Sequence, residues 1–183
     1  MPVRKTSIDG LLVVSWDKRE DDRGFFRHTY QAGEVDAALG RRLRMRQGNH
    51  SRSQSRVLRG FHHEPWDKFI YVAKGTAMCA VADVRPDSST FGAVETFLLG
   101  DEPGAMHRIF VCRGLANAFF CLTEVDYLND VSEEFDPSDR GGVIWDDPTL
   151  AVAWPTADPI LSSTDQKLPT LKAKFPDHPL FAG

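Results

Sequence analysis

Apolar and polar positions alternate in short runs along most of this chain, and turn residues separate the runs. Period-two alternation over four to eight residues predicts half-buried strands. On that basis strands are expected at Leu11–Trp16, Gly24–Tyr30, Met45–Asn49, Ser55–His62, Phe69–Ala73, Thr76–Val84, Ala93–Leu99, His107–Val111, Ala118–Leu122 and Tyr127–Val131. The segment KREDDRG before Phe25 reads as a charged turn, and Lys74-Gly75 reads as a hairpin turn between two of the strands. QAGEVDAALG, residues 31–40, is the best helix candidate, being Ala-rich and closed by Gly40. Strands recurring every 8–14 residues or so, with no helices alternating between them, predict an antiparallel sandwich or barrel rather than a parallel α/β sheet. From Phe135 onward the chain becomes rich in Pro, Asp and Trp, which suits a tail wrapped over a preformed core. The organisation expected is a single domain over residues 1–183: N-terminal strands and an arm (1–56), a barrel core (57–134) and a closing tail (135–183).

The bulk numbers narrow the class. The net charge of −4 disfavours a nucleic-acid partner. Arg41, Arg42, Arg44 and Arg46 alternate with Leu and Met, and read as a solvated strand edge in preference to an anion-binding face. No run approaches the ~20 apolar residues of a membrane span, and MPVRKTSIDG lacks the apolar core of a signal peptide. Cys79, Cys112 and Cys121 form an odd set in apolar runs, without metal spacing. They read as buried thiols in a reducing cytoplasm.

Candidate chemistry concentrates in VLRGFHHEPWDKF, residues 57–69. Adjacent strand residues point to opposite faces, so His62 and His63 cannot both look into a barrel. His107 is poorly placed to join them, and no metal site is expected. A neutral imidazole held by a carboxylate is a competent base near pH 7, and a lysine six residues later could set a cation where negative charge develops. Together they suit proton removal beside a carbonyl.

DDRGFF (21–26), QGNHSRS (47–53), VLRGFH (57–62), DVRPDSSTFG (83–92), IWDDP (144–148) and AWPTADPILSSTD (153–165) occur in this order along the chain. In these stretches the sequence resembles the dTDP-4-dehydrorhamnose 3,5-epimerase family. The resemblance implies a cupin-like jelly-roll β-sandwich, a homodimer exchanging N-terminal strands, and a nucleotide-diphospho-sugar substrate, with no cofactor. It places the catalytic base on His62, its supporting carboxylate on Asp165, and the enolate-stabilising cation on Lys68. Arg23, Phe25, Gln47, Asn49 and Arg59 fall on positions that bind the nucleotide diphosphate or sugar. Arg59 and His62 have opposite strand parity, so a shared cleft requires a bulge, for which Gly60 is the candidate.

Three positions depart from the family pattern. The family's general acid, a tyrosine sixteen residues before the Trp of IWDDP, is Asn129 here, and an amide cannot deliver a proton as a phenol can. Tyr127 is two residues away, roughly 6.5–7 Å along the same strand face, and is either a substitute acid or ordinary packing. A glutamate that reads the thymine is His28, and a histidine that meets the phosphate is Asn117. The implied activity is epimerisation at C3 and/or C5 of a nucleotide-linked 4-keto-6-deoxy sugar. A binding protein without turnover, or a keto-sugar isomerase using the same enolate, are the alternatives.

Overall fold

The computed structural model describes residues 3–15, 17–139 and 141–182. The strands are β1 (Val3–Lys5), β2 (Leu11–Ser15), β3 (Arg19–Asp21), β4 (Gly24–Phe26), β5 (Gln47–Ser53), β6 (Leu58–His63), β7 (Lys68–Lys74), β8 (Thr76–Asp83), β9 (Val94–Gly100), β10 (His107–Val111), β11 (Leu115–Cys121), β12 (Val125–Val131) and β13 (Gly141–Gly142). They build an antiparallel jelly-roll of two sheets, ordered β1-β2-β10-β7-β12-β5 and β13-β6-β11-β8-β9, with β3 and β4 as a separate hairpin. Trp16, the last residue of the first expected strand, lies outside the described residues.

Burial explains why these segments are strands. Alternate residues of β7, β10 and β2 (Ile70, Val72, Ile109, Val111, Leu11 and Val13) meet Cys79, Val81, Phe119 and Cys121 of β8 and β11 between the sheets. The outer face of the second sheet is also covered. Phe61, Ala80, Ala82, Ala116 and Ala118 pack against Val143, Leu150 and Leu171, beneath Trp154, Phe175 and Phe181 of the C-terminal segment. This double coverage is why every residue of β11, LANAFFC, is buried. A third cluster places Val35 of helix α1 (Ala32–Leu39) over Leu12, Phe69 and Phe110. Gly40 closes that helix in the left-handed conformation, as expected. No helix among the described residues is long and apolar enough to cross a membrane.

Four expectations are corrected. Lys74-Gly75 is not a hairpin turn: β7 pairs with β10 and β12, while β8 pairs with β11 and β9. Gly75, at φ 77°, turns the chain from one sheet into the other, where a Cβ would lie 1.9 Å from the Glu124 carbonyl oxygen. KREDDRG is not only a turn, because Arg19–Asp21 pairs with Gly24–Phe26. The arginines at 41–46 precede the strand instead of edging it, since β5 begins at Gln47. Arg41 pairs with Asp67 at 2.7 Å and Arg46 with Glu133 at 3.2 Å. Cys112 is only half-buried, whereas Cys79 and Cys121 are buried as expected.

Candidate active site

The sandwich opens on one side into a cleft of about 390 Å³, lined from β5, β6, β7, β11 and β12. Both Arg59 and His62 line it, and the local backbone shows how. The β6–β11 register shifts between Asn117 and Phe119, so the strand bulges opposite Gly60. Gly60 adopts φ 111°, and a Cβ there would lie 2.5 Å from the Asn117 carbonyl oxygen. Only glycine permits the bulge that brings two residues of opposite parity to one face.

His62 Nε2 lies 2.7 Å from Asp165 Oδ1. A carboxylate only accepts, so it places the ring proton on Nε2 and leaves Nδ1 as the basic nitrogen. Asp165 is buried at the start of a 3-10 turn and its amide donates to Ser162 Oγ at 3.0 Å. Burial pushes its carboxyl up, but the hydrogen bond and charge of His62, with Ser162 and the Gly60 backbone, hold it below its ordinary value. His63 points away, under the outer sheet edge, where a Cβ on Gly141 would lie 2.4 Å from its Nε2. Burial, with Lys174 nearby, lowers its pKa to about 4, which keeps it neutral.

Lys68 opens β7 with 3% of its surface exposed. Its Nζ donates to Asn117 Oδ1 at 2.6 Å and to the His62 carbonyl at 3.2 Å, and pairs with the Glu64 carboxylate. Burial lowers the Lys68 pKa and Glu64 opposes that fall. Asn117 Nδ2 donates to the Tyr127 hydroxyl at 3.2 Å, and the Tyr127 ring stacks on Phe119 at 3.9 Å. Burial raises the Tyr127 phenol well above its ordinary value. Asn129 lines the cleft beside it, with its Oδ1 buried and without a hydrogen-bond partner among the described residues. Toward the rim, Gln47 Nε2 donates to Asn49 Oδ1 at 2.6 Å and Arg59 Nε to Ser53 Oγ at 3.0 Å.

His62, Asp165, Lys68, Asn117, Tyr127, Asn129, Gln47, Asn49 and Arg59 are therefore brought together. Asn117 stands on the cleft floor as a partner of Lys68, on a strand buried along its whole length. Arg23, Phe25 and His28 do not line the cleft. Arg23 folds back on Asp21 within its own hairpin, Phe25 is exposed, and His28 meets the edge of Phe26 at 5.2 Å. Sequence reasoning missed Glu64, Trp66, Phe119 and Phe135 in the lining. Glu64 follows His62 by two, one residue past the end of β6, so strand alternation carried one step further could have found it. Among the described residues, no group of three or more His, Cys, Asp or Glu is placed to hold a metal ion.

The jelly-roll fold and the relatives that share it make this chain an isomerase, a carbohydrate epimerase. The chain belongs to the dTDP-4-dehydrorhamnose 3,5-epimerase family, whose model matches residues 5–173. It is 30% identical over 177 residues to the dTDP-4-dehydrorhamnose 3,5-epimerase of Salmonella typhimurium, covering 93% of this chain and 96% of that protein. Among solved structures, the 4-keto-6-deoxy sugar epimerase NovW of Streptomyces spheroides superposes with a TM-score of 0.91 at 31% identity, over 97% of this chain and 90% of that one. RmlC of Legionella pneumophila, solved with dTDP-4-keto-L-rhamnose, gives 0.87 at 30% identity, with 93% of each chain covered.

Proposed function

We propose that the chain epimerises a dTDP-linked 4-keto-6-deoxy sugar at C3 or C5. The observation that carries this reading is the 2.7 Å contact between His62 and Asp165 in the same cleft as the buried Lys68 ammonium. His62 Nδ1 takes the proton from the carbon beside the ketone, and the C–H pair moves into the ring to form an enolate on O4. Lys68 holds that oxygen, and Asp165 stabilises the imidazolium. A proton returning to the same carbon from the other face inverts it. Asn129 cannot supply that proton. Tyr127 is the group of the right type nearest to hand, because burial keeps its phenol protonated. With an amide at position 129, turnover at one carbon is favoured over turnover at both. The relatives' thymidine nucleotides support the base, and Arg59, Gln47 and Asn49 offer donors to the diphosphate or sugar.

Arg23, Phe25 and His28 act in this reading from a partner chain. The β3–β4 hairpin of each copy exchanges onto the cleft of the other in a homodimer.

The direct test is incubation of a dTDP-4-keto-6-deoxy sugar with the protein in D₂O. Deuterium is expected at C3 or C5, and His62→Asn is expected to abolish it. Absence of exchange, together with thermal stabilisation by dTDP, would replace the epimerase with a nucleotide-sugar-binding protein. A product with a moved carbonyl would indicate a keto-sugar isomerase.

A further inference from the structure

The Lys68 ammonium has three N–H groups, and the cleft supplies three acceptors: the His62 carbonyl, Asn117 Oδ1 and the Glu64 carboxylate. The first is backbone. The second is held in place, because the same amide donates to the Tyr127 hydroxyl. Glu64 differs. It lies one residue beyond the end of β6, lines the cleft, and keeps 15% of its side chain exposed. A keto oxygen entering the cleft reaches the ammonium only by taking the place of one acceptor, and Glu64 is the one able to swing away.

We propose that Glu64 is a positioning residue for Lys68: its carboxylate holds the buried ammonium and occupies the place that the keto oxygen of the substrate takes. The proposal rests on the role given to Lys68 under the proposed function. It also has a consequence for catalysis. A neutral ketone competes poorly with a carboxylate for a buried ammonium, whereas an enolate oxygen, itself anionic, competes on equal terms. Exchange of Glu64 for substrate thus favours the enolate over the ketone, which is the discrimination that raises turnover.

The titratable groups around Lys68 are His62 and His63 from β6, Glu64 just past its end, Tyr127 from β12, and Asp165 behind His62. β11 faces it with Asn117, which does not titrate. Of these, Glu64 is the anion in contact with the ammonium, opposing the effect of burial. Removing its charge lowers the Lys68 midpoint. Because the ammonium is the active form, the alkaline limb of kcat/KM then moves to lower pH.

The experiment is Glu64→Gln, which keeps the volume. Lys68 Nζ is titrated by NMR in ¹⁵N-lysine-labelled protein, its signal assigned by its loss in Lys68→Arg. The Lys68 midpoint is expected to fall by about 1–3 pH units, and the alkaline limb of kcat/KM to move with it. An unchanged midpoint overturns the proposal, as does a lowered midpoint with an unmoved alkaline limb. If Glu64→Gln does not fold, Glu64→Ser is read in the same way. The NMR titration does not depend on turnover. If wild-type protein exchanges no deuterium, the epimerase reading fails, while the midpoint still decides whether Glu64 governs Lys68.

Discussion

A single contact, His62 Nε2 to Asp165 Oδ1, sets which nitrogen of the ring can act as base. Replacing the acceptor by an amide allows the opposite tautomer, because an amide can donate to Nε2 as well as accept from it. Asp165→Asn is therefore expected to slow deuterium exchange into the sugar by about 10²-fold or more, with little change in dTDP affinity. The same contact has a stability signature. The Asp165 carboxyl is raised by burial but held below its ordinary value by His62, Ser162 and the Gly60 backbone. A carboxylate whose folded pKa is depressed stabilises the fold above its unfolded value, about 3.9, and that contribution is lost as pH falls through the folded value. Urea midpoints should show Asp165→Asn less stable than wild type at pH 7 by roughly 1–3 kcal/mol, with the gap closing below about pH 4. A gap that persists in acid would trace the effect to packing instead.

At the scale of elements, the cleft depends on one irregularity in β6. Gly60 adopts φ 111°, with the Asn117 carbonyl oxygen and Ala118 Cα placed 2.5 Å and 2.8 Å from where a Cβ would be. Both obstacles are backbone, so the neighbours cannot give way as a flexible side chain would. Gly60→Ala is expected to lower stability by about 2 kcal/mol or more, read as a drop in thermal midpoint, and to remove deuterium exchange even where the variant remains folded. Parity reasoning reached this point from the sequence, because Arg59 and His62 share a cleft only through a bulge. Most strands were legible in the same way, from period-two alternation. What the alternation could not specify was sheet membership. Lys74-Gly75 carries hairpin chemistry, yet Gly75 turns the chain between two sheets, a choice made by the long-range pairing of β7 with β10 and β12. The site was legible through its motifs, with two limits. DVRPDSSTFG organises a loop: burial raises Asp83, but bonds from Arg85, Ser88 and Thr90 hold it at about 2. Asp165, 103 residues from His62, had no signal in periodicity or composition.

At the scale of the whole molecule, one chain does not gather all the residues expected at the site. The β3–β4 hairpin carries Arg23, Phe25 and Phe26 off the cleft, with Phe25 52% and Phe26 64% exposed. Two adjacent aromatic side chains on a three-residue strand are costly to leave in water. Burying each contributes about 1.5–3 kcal/mol, and in the proposed homodimer a second copy of this chain would supply both the cover and the cleft that lacks the hairpin. Arg23 would then arrive beside the rim donors Arg59 and Gln47, adding a guanidinium for a diphosphate. Light scattering is expected to give twice the mass of one chain. Phe25→Ser with Phe26→Ser is expected to halve that mass and to remove most of the thermal stabilisation by dTDP. His62 and Asp165, both contributed by one chain, should remain within hydrogen-bond distance in the separated protein. A monomeric wild-type protein that still binds dTDP would place the whole nucleotide site within one chain and leave the hairpin without a part in it.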